Sequence, residues 1–154
     1  MLNCPSTSHL RPILLIDDSA QDRESMIRAL HKLQITNPII SYDDGEEALN
    51  CLFRRGEYEG MSEAAYPAFI LLDLNMPGID GIQVLETIKV DSRLKKIPVV
   101  VLTTSSTQED IDRCYSLGAN SYIRKPFGVA GLDSIVDLLK RYWLDCAALP
   151  EIAG

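Results

Sequence analysis

Five short apolar runs divide the chain: Ile13-Leu14-Leu15-Ile16, Ile39-Ile40-Ser41-Tyr42, Phe69-Ile70-Leu71-Leu72, Val99-Val100-Val101-Leu102 and the shorter, weaker Ser121-Tyr122-Ile123. They are too short for ordinary helices, and the Val99 run is rich in β-branched residues, so all five read as strands. Unbroken apolar strands suit a parallel sheet covered by helices on both faces. The intervening segments carry helical signals. Ser19 can cap a first helix with Asp22 and Glu24 in its first turn and a stripe of Met26, Ile27, Leu30 and Leu33, stopping near Gln34. Asp44-Gly45-Glu46-Glu47 opens a second through Ala48, Leu49, Leu52 and Phe53, and residues 81–90 form a third with Ile82, Leu85 and Ile88 at helical spacing. Ser106-Thr107-Gln108-Glu109 has the form of a capping box for a fourth, which Gly118 ends. Leu132, Ile135, Val136, Leu139, Tyr142 and Trp143 predict a last and longest helix packed on the sheet until Pro150 and a loose tail. Residues 54–67, polar and carrying Gly56 and Gly60, make a long connection that is an insertion or a helix extension. Five strand–helix units predict one doubly wound α/β domain over residues 12–146, between a flexible N-terminal segment 1–11 and a C-terminal tail 147–154.

Composition narrows the class. A length of 154 residues suits a single domain with a substantial core. A formal charge of -7 and a pI near 4.8 argue against a nucleic-acid surface, and the basic clusters do not exceed Arg54-Arg55 or Lys95-Lys96. Cys4, Cys51, Cys114 and Cys146 lie far apart without metal-knuckle or redox spacing, so free thiols in a reducing cytoplasm are expected and a structural zinc is not. Cys51 and Cys114 fall on predicted helices, where they serve as small packing residues. The first twelve residues lack a charged-then-apolar leader, and no later run approaches the ~20 apolar residues of a membrane span. A soluble cytoplasmic protein with no nucleic-acid or membrane partner is the expectation. His9 and His31 are the chain's two histidines, and a surface role is expected for His31.

The candidate chemistry sits just beyond the apolar runs. Asp17-Asp18, Asp73, Thr103 and Lys125 each follow a different run, and in doubly wound sheets ligands bind at the carboxyl ends of the strands. All five residues should meet in one crevice. Three crowded carboxylates repel one another unless a cation joins them. Oxygen ligands without His or Cys select magnesium, manganese or calcium, and so few carboxylates suit magnesium, which keeps waters and shares its shell with a phosphate. Lys125 supplies a complementary point charge, held by Pro126, which disfavours helical geometry at Lys125 and is a candidate for a cis bond. Thr103 offers a hydroxyl to a phosphoryl oxygen. Each residue also has a plainer role: Asp17-Asp18 as a helix cap, Asp73 as a turn residue before Pro77 and Gly78, Thr103 or Thr104 as a partner for strand-end backbone. Singly, the plain roles are at least as good. Jointly, their placement at successive strand ends favours a site.

The motifs Leu15-Ile16-Asp17-Asp18, Leu72-Asp73-Leu74-Asn75-Met76-Pro77-Gly78-Ile79-Asp80-Gly81, Val101-Leu102-Thr103-Thr104 and Ser121-Tyr122-Ile123-Arg124-Lys125-Pro126-Phe127 resemble those of the receiver domain of two-component response regulators. The match spans about residues 12 to 143. It implies a flavodoxin-like fold with strand order 2-1-3-4-5, and a phosphoryl group accepted by Asp73 from a phosphohistidine. It further implies magnesium on Asp17, Asp18, Asp73 and the backbone carbonyl of Asn75, with manganese as a substitute, and phosphoryl oxygens on Thr103 and Lys125. Tyr122 then occupies the aromatic switch position, its ring turning inward when Thr103 moves towards the phosphate. Asn75 and Thr104 flank the path of the hydrolytic water.

Two longer segments narrow the resemblance. Residues 54–67 and the stretch Tyr142-Trp143-Leu144-Asp145 to Leu149-Pro150 look like the single-domain response regulators of cyanobacterial phytochromes, which implies a homodimer and phosphate from a light-sensing, phytochrome-type histidine kinase. On this reading the chain is a phosphoacceptor that catalyses only its own phosphorylation and dephosphorylation. Two rivals are weighed. A haloacid-dehalogenase-type phosphatase needs a titrating aspartate two residues beyond the nucleophile, where this chain has Asn75. An unphosphorylated interaction module with a degenerate switch would not need every site residue, and all are present.

Overall fold

The apolar runs form β1 (Ile13–Ile16), β2 (Ile39–Tyr42), β3 (Phe69–Leu72), β4 (Val99–Thr103) and β5 (Ser121–Arg124), all parallel, in the order β2-β1-β3-β4-β5. The computed structural model describes residues 10–62 and 66–152; Cys4, His9 and most of the segment 1–11 lie outside the described residues. The helices are α1 (Ala20–Lys32), α2 (Gly45–Leu52), α3 (Gly81–Val90), α4 (Gln108–Ser116) and α5 (Val129–Leu139).

Strand alternation divides the core into two layers. Ile13, Leu15, Phe69, Leu71, Val100 and Leu102 pack with Met26 and Leu30 of α1 and Val136 and Leu139 of α5. Their neighbours Leu14, Ile16, Ile70, Leu72, Val99 and Val101 pack with Leu52 of α2, Leu85 and Ile88 of α3 and Cys114 of α4. Both faces are therefore apolar, which explains why β1, β3 and β4 read as unbroken hydrophobic runs, each fully buried Leu or Ile stabilising by about 1.5–3 kcal/mol.

Local signals fix the helix ends. Ser19 caps α1 by accepting the Asp22 N–H, and the chain leaves the helix through Gln34 in a left-handed conformation. Asp44 caps α2, and Asp80 with Gln83 forms a reciprocal capping box on α3. The box expected at Ser106–Glu109 is not formed. The cap is Thr107, one residue later, so its third helical position is Asp110, whose carboxylate accepts from the Ser105 hydroxyl instead. Gly118 closes α4 at φ +105°, with the Gly118 and Ala119 amides donating to Tyr115 and Cys114.

The end of the chain departs from expectation. α5 is shorter than α1 and passes into a π turn at Lys140–Leu144, with the Asp145 amide donating five residues back to Lys140. A π turn shifts the phase of the helical faces, so Trp143 stacks on Phe69 and joins the core while Tyr142 turns outward. The described residues beyond, as far as 152, are held rather than loose. Ile152 is buried in the layer opposite α5, and the Arg11 guanidinium donates to the carbonyls of Tyr66, Pro67 and Pro150. The Lys125–Pro126 peptide is trans, not cis. The long connection after α2 is a loop with a short 3-10 turn at Gly56–Tyr58, and it folds onto the domain: Tyr58 packs edge-on to Tyr42 and donates to Glu47, while Arg54 lies over the Tyr66 ring. Cys51 and Cys114 are buried free thiols and Cys146 is exposed. Burial pushes the Cys114 thiol up to about 11, so it is inert at neutral pH.

Candidate functional site: an acidic crevice at the strand ends

The backbone places the site residues at one level. The Asp17 amide donates to Tyr42, the Asp73 amide to Ile16 and the Lys125 amide to Thr103, each extending the parallel ladder one residue past its strand. The β3–α3 connection lies tight against this row because residue 81 is glycine: a Cβ there would collide with the carbonyl of Asp73 and the Cα of Leu74.

The side chains then converge. Carboxylate oxygens of Asp17, Asp18 and Asp73 lie within 4.8 Å of one another, Asp17 and Asp73 buried and Asp18 exposed. Lys125 Nζ donates to Asp17 Oδ2 at 2.7 Å, to Asp22 Oδ2 at 2.7 Å and to Asp73 Oδ2 at 3.4 Å. Thr103 is fully buried, and its Oγ1 accepts at 3.4 Å from both the Asn75 amide side chain and the Ser105 N–H. Asn75 Nδ2 also reaches Thr104 Oγ1 at 3.4 Å. The plainer roles coexist with the site: Asp17 Oδ1 accepts from the Ser19 amide and Asp73 Oδ1 from the Asn75 amide, leaving the other oxygen of each on Lys125. Asn75 carries no titrating proton, which removes the acid/base that a dehalogenase-type phosphatase needs at this position.

Three carboxylates, Asp17, Asp22 and Asp73, share one ammonium, with Asp18 beside Asp17 and Asp73. Burial raises the Asp73 carboxyl above its ordinary value; Lys125 pulls it down and Asp17 pushes it up again. Burial alone would lower the Lys125 ammonium, but hydrogen bonds to Asp17 and Asp22 outweigh it, and its pKa is raised. The cluster retains an excess of negative charge on hard oxygen donors, a set that fits a divalent cation. Beside it, between α1, α5 and the sheet, lies a cavity of about 260 Å³ with Leu15, Met26, Leu102 and Leu132 in its wall.

All the residues singled out from the sequence, Asp17, Asp18, Asp73, Asn75, Thr103 and Lys125, thus lie together. Tyr122 stands one step away: its hydroxyl donates to the Ser105 carbonyl at 2.9 Å in the loop after Thr103, and its own N–H donates to Tyr115 Oη at 3.1 Å. Sequence reasoning missed two residues. Asp22 read as a helix-start charge, although its place one turn from Asp17-Asp18 was a usable signal. Gly81 read as a helix start and the end of a motif, without a role of its own, because a close backbone approach leaves no trace in composition. His31 lies on the exposed side of α1, beside Ile27 and Ser41. Among the described residues no helix is long and apolar enough to cross a membrane.

The response regulator receiver domain family matches residues 13–137. The chain is 42% identical over 132 residues to the probable methanogenesis regulatory protein FilR2 of Methanothrix harundinacea, covering 86% of this chain and 83% of that one. It is 39% identical over 138 residues to the response regulator Rcp1 of Synechocystis, covering 90% and 92%. Among solved structures, the phosphorylated cyanobacterial phytochrome response regulator RcpA superimposes with a TM-score of 0.85 at 40% identity, covering 92% of this chain and 99% of that one. The Mn(2+)-bound form of Rcp1 gives 0.82 at 39% identity, covering 90% and 98%. With the five-stranded order and the strand-end cluster, these likenesses make the chain a member of the response regulator receiver domain family, related to the cyanobacterial phytochrome response regulators.

Proposed function

We propose that this receiver is the phosphoacceptor of a two-component relay, taking a phosphoryl group from a phytochrome-type histidine kinase onto Asp73. The observation that carries the reading is the single buried carboxylate at the central strand end, flanked by Lys125 on one side and Asn75 and Thr103 on the other. An Asp73 oxygen attacks the phosphorus of a phosphohistidine, the O–P bond forms as the P–N bond breaks, and the electron pair leaves on the imidazole. Lys125 and the Thr103 hydroxyl take the phosphoryl oxygens, and alignment with charge neutralisation supplies the rate. Asp17, Asp18, Asp73 and the carbonyl of Asn75 would hold magnesium, or manganese in its place, and the ion would neutralise the oxygens of the group in transfer. The same crevice, admitting a water, returns Asp73 to the free acid; Asn75 and Thr104 border that path.

The output runs through Thr103. A phosphoryl group that draws the Thr103 hydroxyl disturbs the loop whose Ser105 carbonyl holds Tyr122, so the two arrangements differ in their contacts and the phosphate shifts the population between them. The pairing with a phytochrome-type kinase is supported by the likeness to RcpA and Rcp1. Its test is phosphotransfer from autophosphorylated kinases. A phytochrome-type kinase should label this protein faster than an unrelated histidine kinase does, with acid-labile, hydroxylamine-sensitive label. Equal slow labelling from both would refute the pairing.

A further inference from the structure

We infer that Asp22 is a positioning residue that withholds the Lys125 ammonium from an incoming phosphoryl group; the inference rests on Asp73 being the phosphoacceptor. An ammonium has three donors, and all three are engaged: two at 2.7 Å, to Asp17 and Asp22, and one at 3.4 Å, to Asp73. No donor remains for a phosphoryl oxygen. Asp17 belongs to the acid cluster, so a bound cation takes over its oxygen and releases one bond. Asp22 lies outside that cluster, half-exposed with its carboxylate on Lys125, so a cation at Asp17, Asp18 and Asp73 does not take over its oxygen. The bond to Asp22 is as short as the one to Asp17 and shorter than the one to Asp73, so Asp22 is the short partner that a cation at the acid cluster leaves in place. Asp22 therefore favours a bound cation through its charge, while it opposes a bound phosphoryl group through the same charge and through its claim on Lys125.

Opposite signs for cation and anion separate this role from a structural one. Asp22 sits in the first turn of α1, where its backbone amide donates to the cap Ser19, a bond that Asp22→Asn retains. In Asp22→Asn, Mn2+ affinity should fall about two- to fivefold, while beryllofluoride affinity at saturating Mn2+ should rise about three- to tenfold; a carboxylate 46% exposed is partly screened, so both changes should shrink at high salt. Asp22→Glu, which keeps the charge, should stay near wild type. Weakening of both ligands in Asp22→Asn, or beryllofluoride affinity equal to wild type, would overturn the inference. Wild-type protein that fails to bind beryllofluoride, or an Asp73→Asn variant that binds it equally well, would overturn the phosphoacceptor reading and this inference with it.

Discussion

Asp73 is 7% exposed beside one ammonium, and that burial disfavours its ionised form. Its native pKa is raised, so between the unfolded and native values the folded state holds more protons than the unfolded chain. Metal-free native protein is consequently stabilised as pH falls through the native pKa of Asp73, with the gain complete below the unfolded value. Asp73→Asn lacks this dependence. In chelator the variant should melt above wild type at neutral pH, and the difference should vanish on acidification; magnesium should stabilise wild type and leave the variant nearly unmoved. A variant that melts below wild type in chelator at neutral pH would mean that the Asp73 carboxylate is not under electrostatic strain. The sequence made these site residues legible because each follows an apolar run, so counting along strands sufficed. Asp22 escaped because a helix-start carboxylate already has a sufficient local explanation in the dipole.

Elements were legible where one period governed a segment. β1 to β5 and α1 to α3 follow their apolar patterns, and in β1, β3 and β4 burial on two faces leaves little freedom in register. The misses lie where side-chain pattern does not control the backbone. At Lys140–Leu144 five-residue backbone bonds replace four-residue ones, and Tyr142 leaves the core while Trp143 stays. At the start of α4 the cap is Thr107 rather than Ser106, and the third helical position, Asp110, accepts from Ser105. The β3–α3 junction carries the most direct element-scale test. Gly81→Ala places a methyl against the Asp73 carbonyl, so α3 or the Asp73 backbone must shift. It should cost about 1–3 kcal/mol in denaturant unfolding and slow phosphorylation of Asp73. Wild-type stability and rate together would show that the close approach is not needed.

At the scale of the molecule, exposed apolar side chains gather near the edge of the sheet at β5. Leu138 and Tyr142 stand exposed near the β5 edge, beside Asn120 and Ser121 and close to Trp143, and Tyr115 of α4 bonds to the amide of Tyr122. An exposed aromatic and aliphatic face joined to Tyr122 suits self-association, and we propose a homodimer through α4, β5 and α5. Sedimentation with and without beryllofluoride should show a dimer whose affinity depends on the anion, and Tyr142→Ala should weaken it at least tenfold. A monomer at all concentrations in both states would remove the dimer. The global layout was legible because right-handed crossovers leave few arrangements of five strand–helix units. The anchoring of residues 147–152 was not, since it depends on Arg11 reaching three carbonyls distant in sequence. We propose that these effects converge on one bond, an acyl phosphate on Asp73. Intact-mass spectrometry after incubation with acetyl phosphate and magnesium tests it: wild type should gain one phosphoryl group, lost in hydroxylamine, while Asp73→Asn and chelator-treated wild type gain none. The same mass gain in Asp73→Asn as in wild type would contradict the account.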